Sequence, residues 1–260
     1  MPPALQSLWR RAENGGNKDI MKLIKQILSP LSDKSFFTRR CSFKNIVGHE
    51  YAKNVLSLAL QSANPIHVIL VGPMGIGKTE MLLEIEKYVG KKNSHFAIGS
   101  RISKAGLSDL LLQNSNIEYL LIDEMETMPR KDQAVLLSVQ QHGIVSETLY
   151  GKVREAKVNT IVYATSNDTR KILPPLLSRF FIINMTEYKY DEFMQVSKAK
   201  LTVEGVIEEE AEFIADYVFN ALPRHDVRDV IQIGRLTLGI KDKEKRQRQI
   251  IELVDGMREL

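Results

Sequence analysis

The chain has 260 residues, 43% hydrophobic and 26% charged, with a net charge of +4 and a pI near 9, enough for one large α/β domain plus a smaller one and compatible with polyanion contact without requiring it. A single cysteine, Cys41, excludes an internal disulfide and a cysteine-rich metal site, and reads as a bystander thiol. No apolar run approaches bilayer length, and the N-terminal MPPALQSLWRRAENGG carries its charges after its only apolar patch, unlike a secretory signal, so a cytoplasmic location with no membrane contact is expected.

Residues 1–41 read as a separate helical arm and linker. NGGN at 14–17 breaks the segment, DIMKLIKQIL from Asp19 has helical spacing, and SPLSD ends that helix. Its apolar face of Ile20, Leu23, Ile24, Ile27 and Leu28 is expected to dock on the body of the chain. From FKNIVGHEYAKNVLSLALQ onward, helical segments alternate with short apolar runs: HVILVG at 67, HFAIG at 95, EYLLIDE at 118, NTIVYATSN at 159 and RFFIIN at 179. Five such runs separated by helices predict a parallel five-stranded sheet covered on both faces, with ligands at the carboxyl ends of its strands. After Tyr188 only helical patterns remain, in DEFMQVSKAKL, EEEAEFIADYVFNAL, HDVRDVIQIGRLTLGI and DKEKRQRQIIELVDGM. The expected division is an α/β domain over 42–187 and a small all-α domain over 188–260.

The first run changes texture abruptly in HVILVGPMGIGKTEML. Gly72, Pro73, Met74, Gly75, Ile76, Gly77, Lys78 and Thr79 satisfy G-x-x-x-x-G-K-[ST] between a strand and a helix whose first residues include Glu80. Glycines let successive N–H groups point into one concavity, and the helix N-terminus adds the positive end of its dipole. Such a cradle fits a β-phosphate, with Lys78 reaching the β- and γ-phosphate oxygens and the Thr79 hydroxyl a ligand of Mg²⁺.

YLLIDEME hands Asp123 and Glu124 from a buried strand to the ligand-facing edge of the sheet. Asp123 is assigned to magnesium and Glu124 to activation of the attacking water. TIVYATSND ends its strand in small polar residues, and Asn167, with Ser166 in reserve, is the amide that orients the water or meets the γ-phosphate. In ILPPLLSRFFII, Arg179 precedes a strand and supplies the planar charged fork that stabilises a transferring phosphoryl group, able to complete a neighbouring subunit's site if it lies at the surface.

Over roughly residues 42–260 the chain resembles the AAA+ ATPases, a P-loop NTPase fold with a small helical lid. The resemblance implies a Mg²⁺-dependent ATPase that forms a homo-oligomeric ring, expected to be hexameric. Gly72 to Thr79 match the family's phosphate loop, Asp123 and Glu124 its acidic pair, Asn167 its sensor-1 position and Arg179 its trans-acting arginine finger. LPRHDVRDVIQ looks like the sensor-2 helix, which implies that Arg228 touches the γ-phosphate, with Arg224 and Arg235 nearby. FKNIVGHE looks like the segment framing the adenine, which puts Ile46, Val47 and Gly48 beside the base. LLSVQQHGIVSETLYGKVREAKVNTIVYATSN looks like the pre-sensor-1 β-hairpin, and SRISKAGLSDLL is similar to the RuvB-like pattern.

The resemblance therefore implies a RuvB-like DNA motor of recombination, repair or replication. RuvB proteins carry a winged-helix DNA-binding domain after the lid, whereas this sequence ends at Leu260, so the resemblance supports the motor more than the DNA grip, and either a DNA-binding adaptor supplies the grip or the substrate is not DNA. Lys152, Arg154 and Lys157 give the hairpin the basic character that phosphate contact needs. The KDKEKRQRQ run reads as a solvated helix face. Two alternatives share the ATP site: a protein-remodelling ATPase similar to MoxR-type chaperones or the Lon and ClpX unfoldases, and a loader or initiator switch. The absence of an aromatic residue from SRISKAGLSD counts against the former.

Overall fold

The computed structural model describes residue 41 and residues 43–114, 116–149 and 152–258; the helix expected from Asp19 lies outside them. Helix α1 (Glu50–Leu60) leads into β1 (Val68–Val71), which is followed by α2 (Lys78–Val89), β2 (Ser94–Ile98), α3 (Lys104–Gln113) and β3 (Tyr119–Asp123). Next come α4 (Ala134–His142), the strands β4 (Ile144–Leu149) and β5 (Lys152–Lys157), then β6 (Ile161–Ser166), the short α5 (Pro174–Leu177) and β7 (Phe181–Asn184). Four helices close the chain: α6 (Tyr190–Val203), α7 (Glu208–Ala221), α8 (Val227–Thr237) and α9 (Lys243–Arg258).

All five apolar runs are strands of one parallel sheet, in the order β2-β3-β6-β1-β7. The alternation of a strand sorts its side chains between two cores. Val68, Leu70, Leu121, Tyr163 and Ile183 pack with Met81, Leu82 and Ile85 of α2, while Ile69, Leu120, Ile122, Val162 and Ala164 pack with Leu107, Leu111, Leu136 and Val139 on the other face. Both faces being covered explains why the strands read as unbroken apolar runs rather than alternating ones. Register aligns the carboxyl ends: Val71 pairs with Ser166 and Asn184, and Ile122 pairs with Ala164, so Gly72, Asp123 and Asn167 leave the sheet along one edge.

Helices α6 to α9 extend the α2-side core through Phe193, Leu201, Ile214, Val218, Val230, Ile233, Ile250 and Val254. Most of the charged run near 241 is exposed, as expected of a solvated helix face, and two of its cations reach α7. Lys243 pairs with Glu209 at 2.6 Å, and the half-buried Arg246 donates to the Glu210 carboxylate and the Ile240 carbonyl. No helix among the described residues is long and apolar enough to cross a membrane.

Strands β4 and β5 form an antiparallel hairpin between α4 and β6, with Ile144 opposite Lys157 and Leu149 opposite Lys152. Val145 is fully buried at its base, whereas Val153 is 68% exposed. The expected basic character is reduced: Arg154 donates to Glu147 at 2.7 Å and to Asp109 of α3 at 3.0 Å. That arginine braces the hairpin against the body, a role the local sequence hides because Asp109 lies 45 residues away.

Immediately before β1, the Nδ1 of His67 accepts the backbone N–H of Val162 at 3.0 Å, and burial pushes this imidazole from its ordinary 6.5 down to about 4. The folded chain therefore holds His67 neutral where the unfolded chain takes up a proton. Stability is expected to fall as pH drops below about 6.5 and to level off near 4, at no more than about 1.4 kcal/mol per pH unit from this group. Urea unfolding across that window should give a shallower dependence for His67→Asn than for the parent chain; identical slopes would remove His67 from the account.

Candidate active site

The chain leaves β1 at Val71, turns through six residues and enters α2 at Lys78. Glycine is required by contact at one end of this loop and by conformation at the other. A Cβ on Gly72 would lie 2.4 Å from the Met185 carbonyl oxygen, and Gly77, which caps α2, has a left-handed φ of 85°.

Lys78 is 7% exposed. Its Nζ donates to the carbonyls of Gly72, at 2.8 Å, and Pro73, and to Asn167 Oδ1, at 2.8 Å. Burial lowers the pKa of this ammonium; Glu126 and Asp123 oppose the shift, and Arg228 adds to it. Next in sequence, the Thr79 hydroxyl lies 2.9 and 3.1 Å from the two Asp123 carboxylate oxygens. Asp123 also accepts the Thr165 hydroxyl at 2.5 Å, and Thr165 Oγ1 accepts the backbone N–H of Glu124 at 3.0 Å. Thr165 thus ties the two acidic residues together through one oxygen.

Glu124 has a left-handed φ of 52°, an uncommon conformation for a side-chain-bearing residue. Its carbonyl is held by the Thr127 hydroxyl at 2.7 Å and the Thr127 N–H at 2.9 Å, and lies where a Cβ on Gly99 would collide with it. These contacts turn the chain after β3 and leave the exposed Glu124 at the cavity wall.

Asn167 stands opposite Lys78 with its backbone N–H and Nδ2 both donating to Glu126 Oε1, at 3.0 and 2.7 Å. Ser166, the reserve candidate, is fully buried and turned away, its hydroxyl donating to the Asp168 carbonyl at 2.8 Å.

Arg228 reaches the cavity from α8, whereas Arg224 and Arg235 are bound to Asp229 and Glu204. Its guanidinium grips Asp226 through contacts of 2.7 to 3.1 Å, and Asp226 also caps α8 by accepting the Arg228 N–H at 2.9 Å. Burial opposes ionisation of Asp226, but the Arg228 hydrogen bonds outweigh it and hold the carboxyl below its ordinary range. Asp226 sits directly on the phosphate loop: a Cβ on Gly75, whose φ is 76°, would lie 2.2 Å from its Oδ1.

A cavity of about 260 Å³ joins these groups, with Ile46, Val47, Tyr188, Val196, Ala199 and Ile231 forming an apolar end suited to a flat base. Met74, Gly75, Ile76, Gly77, Lys78, Thr79 and Glu80 line it as well. The Tyr188 hydroxyl donates to the Ile76 carbonyl at 3.0 Å, tying this wall to the loop. Gly48 stands behind the wall against Glu192, and Gly72 and Pro73 contribute carbonyls to Lys78 rather than surface. Arg179 is outside the cavity, half-buried and donating to the Pro175 carbonyl.

Thr165, Glu126, Asp226 and Tyr188 were not singled out from the sequence. An Asp before a helix signals a cap, and Thr165 ends a strand already assigned to the site; Glu126 and Tyr188 carry no comparable local signal. Thr165→Val keeps the shape but removes the shared hydroxyl. A loss of about 1 kcal/mol in unfolding free energy is expected, together with slower nucleotide turnover. Turnover at the parent rate would show that the link between Asp123 and Glu124 is only structural.

Residues 68–188 match the family model described as ATPase family associated with various cellular activities (AAA). The Holliday junction branch migration complex subunit RuvB of Pseudothermotoga lettingae is 25% identical over 256 residues, covering 83% of this chain and 74% of that protein. Lon protease 2 of Bacillus subtilis is 23% identical over 282 residues, covering 87% of this chain and 50% of that protein. The chain spans between about half and three quarters of the curated relatives it matches. In fold it is similar to the Thermotoga maritima RuvB Holliday junction branch migration motor, with a TM-score of 0.59 at 24% identity over 81% of this chain and 70% of that one. With the phosphate loop, the acidic strand end and the sheet order on one scaffold, residues 68–188 form a P-loop AAA ATPase domain.

Proposed function

We propose that this chain is the motor subunit of an ATP-driven ring that acts on DNA, with residues 42–187 as its nucleotide-binding domain and 188–260 as its lid. The observation that carries the reading is the convergence of Lys78, Thr79, Asp123, Asn167 and Arg228 on one cavity in a chain that also bears a hairpin between α4 and β6. The relatives named as branch migration subunits support the choice of DNA.

In this reading the triphosphate enters the loop, and Lys78 exchanges the Gly72 and Pro73 carbonyls and the Asn167 amide oxygen for phosphate oxygens. The pairing of the Thr79 hydroxyl with both Asp123 oxygens is a hard, all-oxygen arrangement that fits a magnesium ion held partly through water. Such an ion, when bound, neutralises charge developing on the phosphates. Glu124 polarises the attacking water, and Arg228 leaves Asp226 for the γ-phosphate. Arg179 acts on the neighbouring subunit's site, a role supported by its place outside its own cavity. Ile46 and Val47 hold the base, with Gly48 shaping the turn behind them.

The hairpin is the proposed contact to DNA or to a DNA-binding adaptor. Lys157 is exposed on it, while the committed Arg154 is assigned to bracing. A protein-remodelling activity is the second reading, favoured by the extent of the similarity to Lon protease 2.

Steady-state ATP hydrolysis with single-stranded, duplex and four-way-junction DNA across a salt series tests the substrate. Stimulation that weakens with salt is expected; turnover indifferent to every DNA moves the assignment to protein remodelling. Lys78→Ala should abolish productive ATP binding, and Glu124→Gln should retain ATP without hydrolysing it. Arg179→Ala should bind normally and turn over slowly, and mixing it with Lys78→Ala should restore part of the rate, because mixed rings pair an intact site with an intact arginine. Failure of the mixture to exceed its separate components would count against action in trans.

A further inference from the structure

We infer that Glu126 is a positioning residue that orients Asn167 so that its amide oxygen, rather than its amide nitrogen, is presented to the reacting water. The inference rests on the proposed ATPase site and adds a residue and a polarity to it.

Glu126 occupies the 3-10 turn Met125–Thr127 that follows the strained Glu124, and this turn brings its carboxylate back against the edge of the sheet. One oxygen takes two hydrogen bonds from the same residue, the backbone N–H and the Nδ2 of Asn167. Its other oxygen, Oε2, is buried and has no hydrogen-bond partner among the described residues. The carboxylate is therefore committed to Asn167, and no alternative partner competes for it.

The two ends of an asparagine amide are told apart by their surroundings. Here Nδ2 faces a carboxylate and Oδ1 faces the Lys78 ammonium. Rotating the amide by half a turn would set oxygen against carboxylate and N–H against ammonium, losing both charge-assisted bonds and creating two like-polarity contacts. The acceptance of Nδ2 by Glu126 Oε1 thus defines which amide atom faces Lys78 and the cavity. Once Lys78 transfers its hydrogen bonds to phosphate, Asn167 Oδ1 is an acceptor without a donor, placed to take one proton of a water as a hydrogen bond. That fixes the water's orientation while its other proton remains for Glu124. Glu126 is also the acidic neighbour that most opposes the burial penalty on Lys78, so the ammonium and the amide depend on the same side chain.

The test is a double-mutant cycle on the full chain, reading kcat and KM for ATP together with unfolding midpoint and ADP affinity. Glu126→Gln and Asn167→Ala are each expected to lower kcat by about tenfold or more, with KM changed by less than about threefold. The double variant should be no slower than Asn167→Ala alone, because the two act as one unit. Glu126→Asp keeps the negative charge beside Lys78 but withdraws the acceptor; it should retain ADP binding and still lose kcat, and it serves if Glu126→Gln does not fold.

Rates that multiply in the double variant, or a Glu126→Asp protein with the parent kcat, would overturn the positioning role. An active parent chain with fully active Glu126→Gln overturns this inference alone. A parent chain with no ATP hydrolysis overturns the proposed site and this inference with it.

Discussion

An ammonium group taken out of water must be given acceptors and compensating charge, or it loses its proton. Lys78 is buried, and much of the surrounding site satisfies that demand. Two carbonyls from the start of its own loop fold back onto it, and an amide from the neighbouring strand supplies a third acceptor. The amide is held by Glu126, and Asp123 supplies a second negative charge across the edge of the sheet. Under the proposed ATPase reading, a phosphate in this loop meets a lysine that its neighbours already aim, with less side-chain entropy to lose on binding.

The same edge concentrates backbone strain. Glu124 stands in the left-handed region, yet its N–H, its carbonyl and the ground beneath that carbonyl are each engaged, by Thr165, Thr127 and Gly99. Strain of this kind persists only where neighbours over-determine it. The register of β3 against β6 makes that possible, because it places Thr165 within reach of both Asp123 and Glu124. Sheet order, an apparently remote property of the fold, thereby sets the geometry of two carboxylates.

Features carried by consecutive residues were legible in the sequence. VILV and YLLID announce strands because a sheet covered on both faces needs apolar side chains at every position, and the glycine spacing after Val71 has a direct conformational cause. Choices among similar residues were less accessible. Arg224, Arg228 and Arg235 look equivalent until Asp229 and Glu204 are seen to claim two of them. Arg154 reads as a free cation until Asp109 is brought beside it from α3. Glu126 carries no local signal, because its partner Asn167 lies 41 residues away. Gly48, expected beside the base, stands against Glu192, while its neighbours Ile46 and Val47 line the cavity. In each case the deciding partner is distant along the chain, so periodicity and spacing carry no trace of it.

The approach of Asp226 to Gly75 leaves no room for even one carbon between the cap of α8 and the crest of the phosphate loop. Only the Asp226 side chain lies between the loop backbone and the first turn of α8 at this point. The last four helices thus meet the crest of the loop at a position that only glycine can occupy.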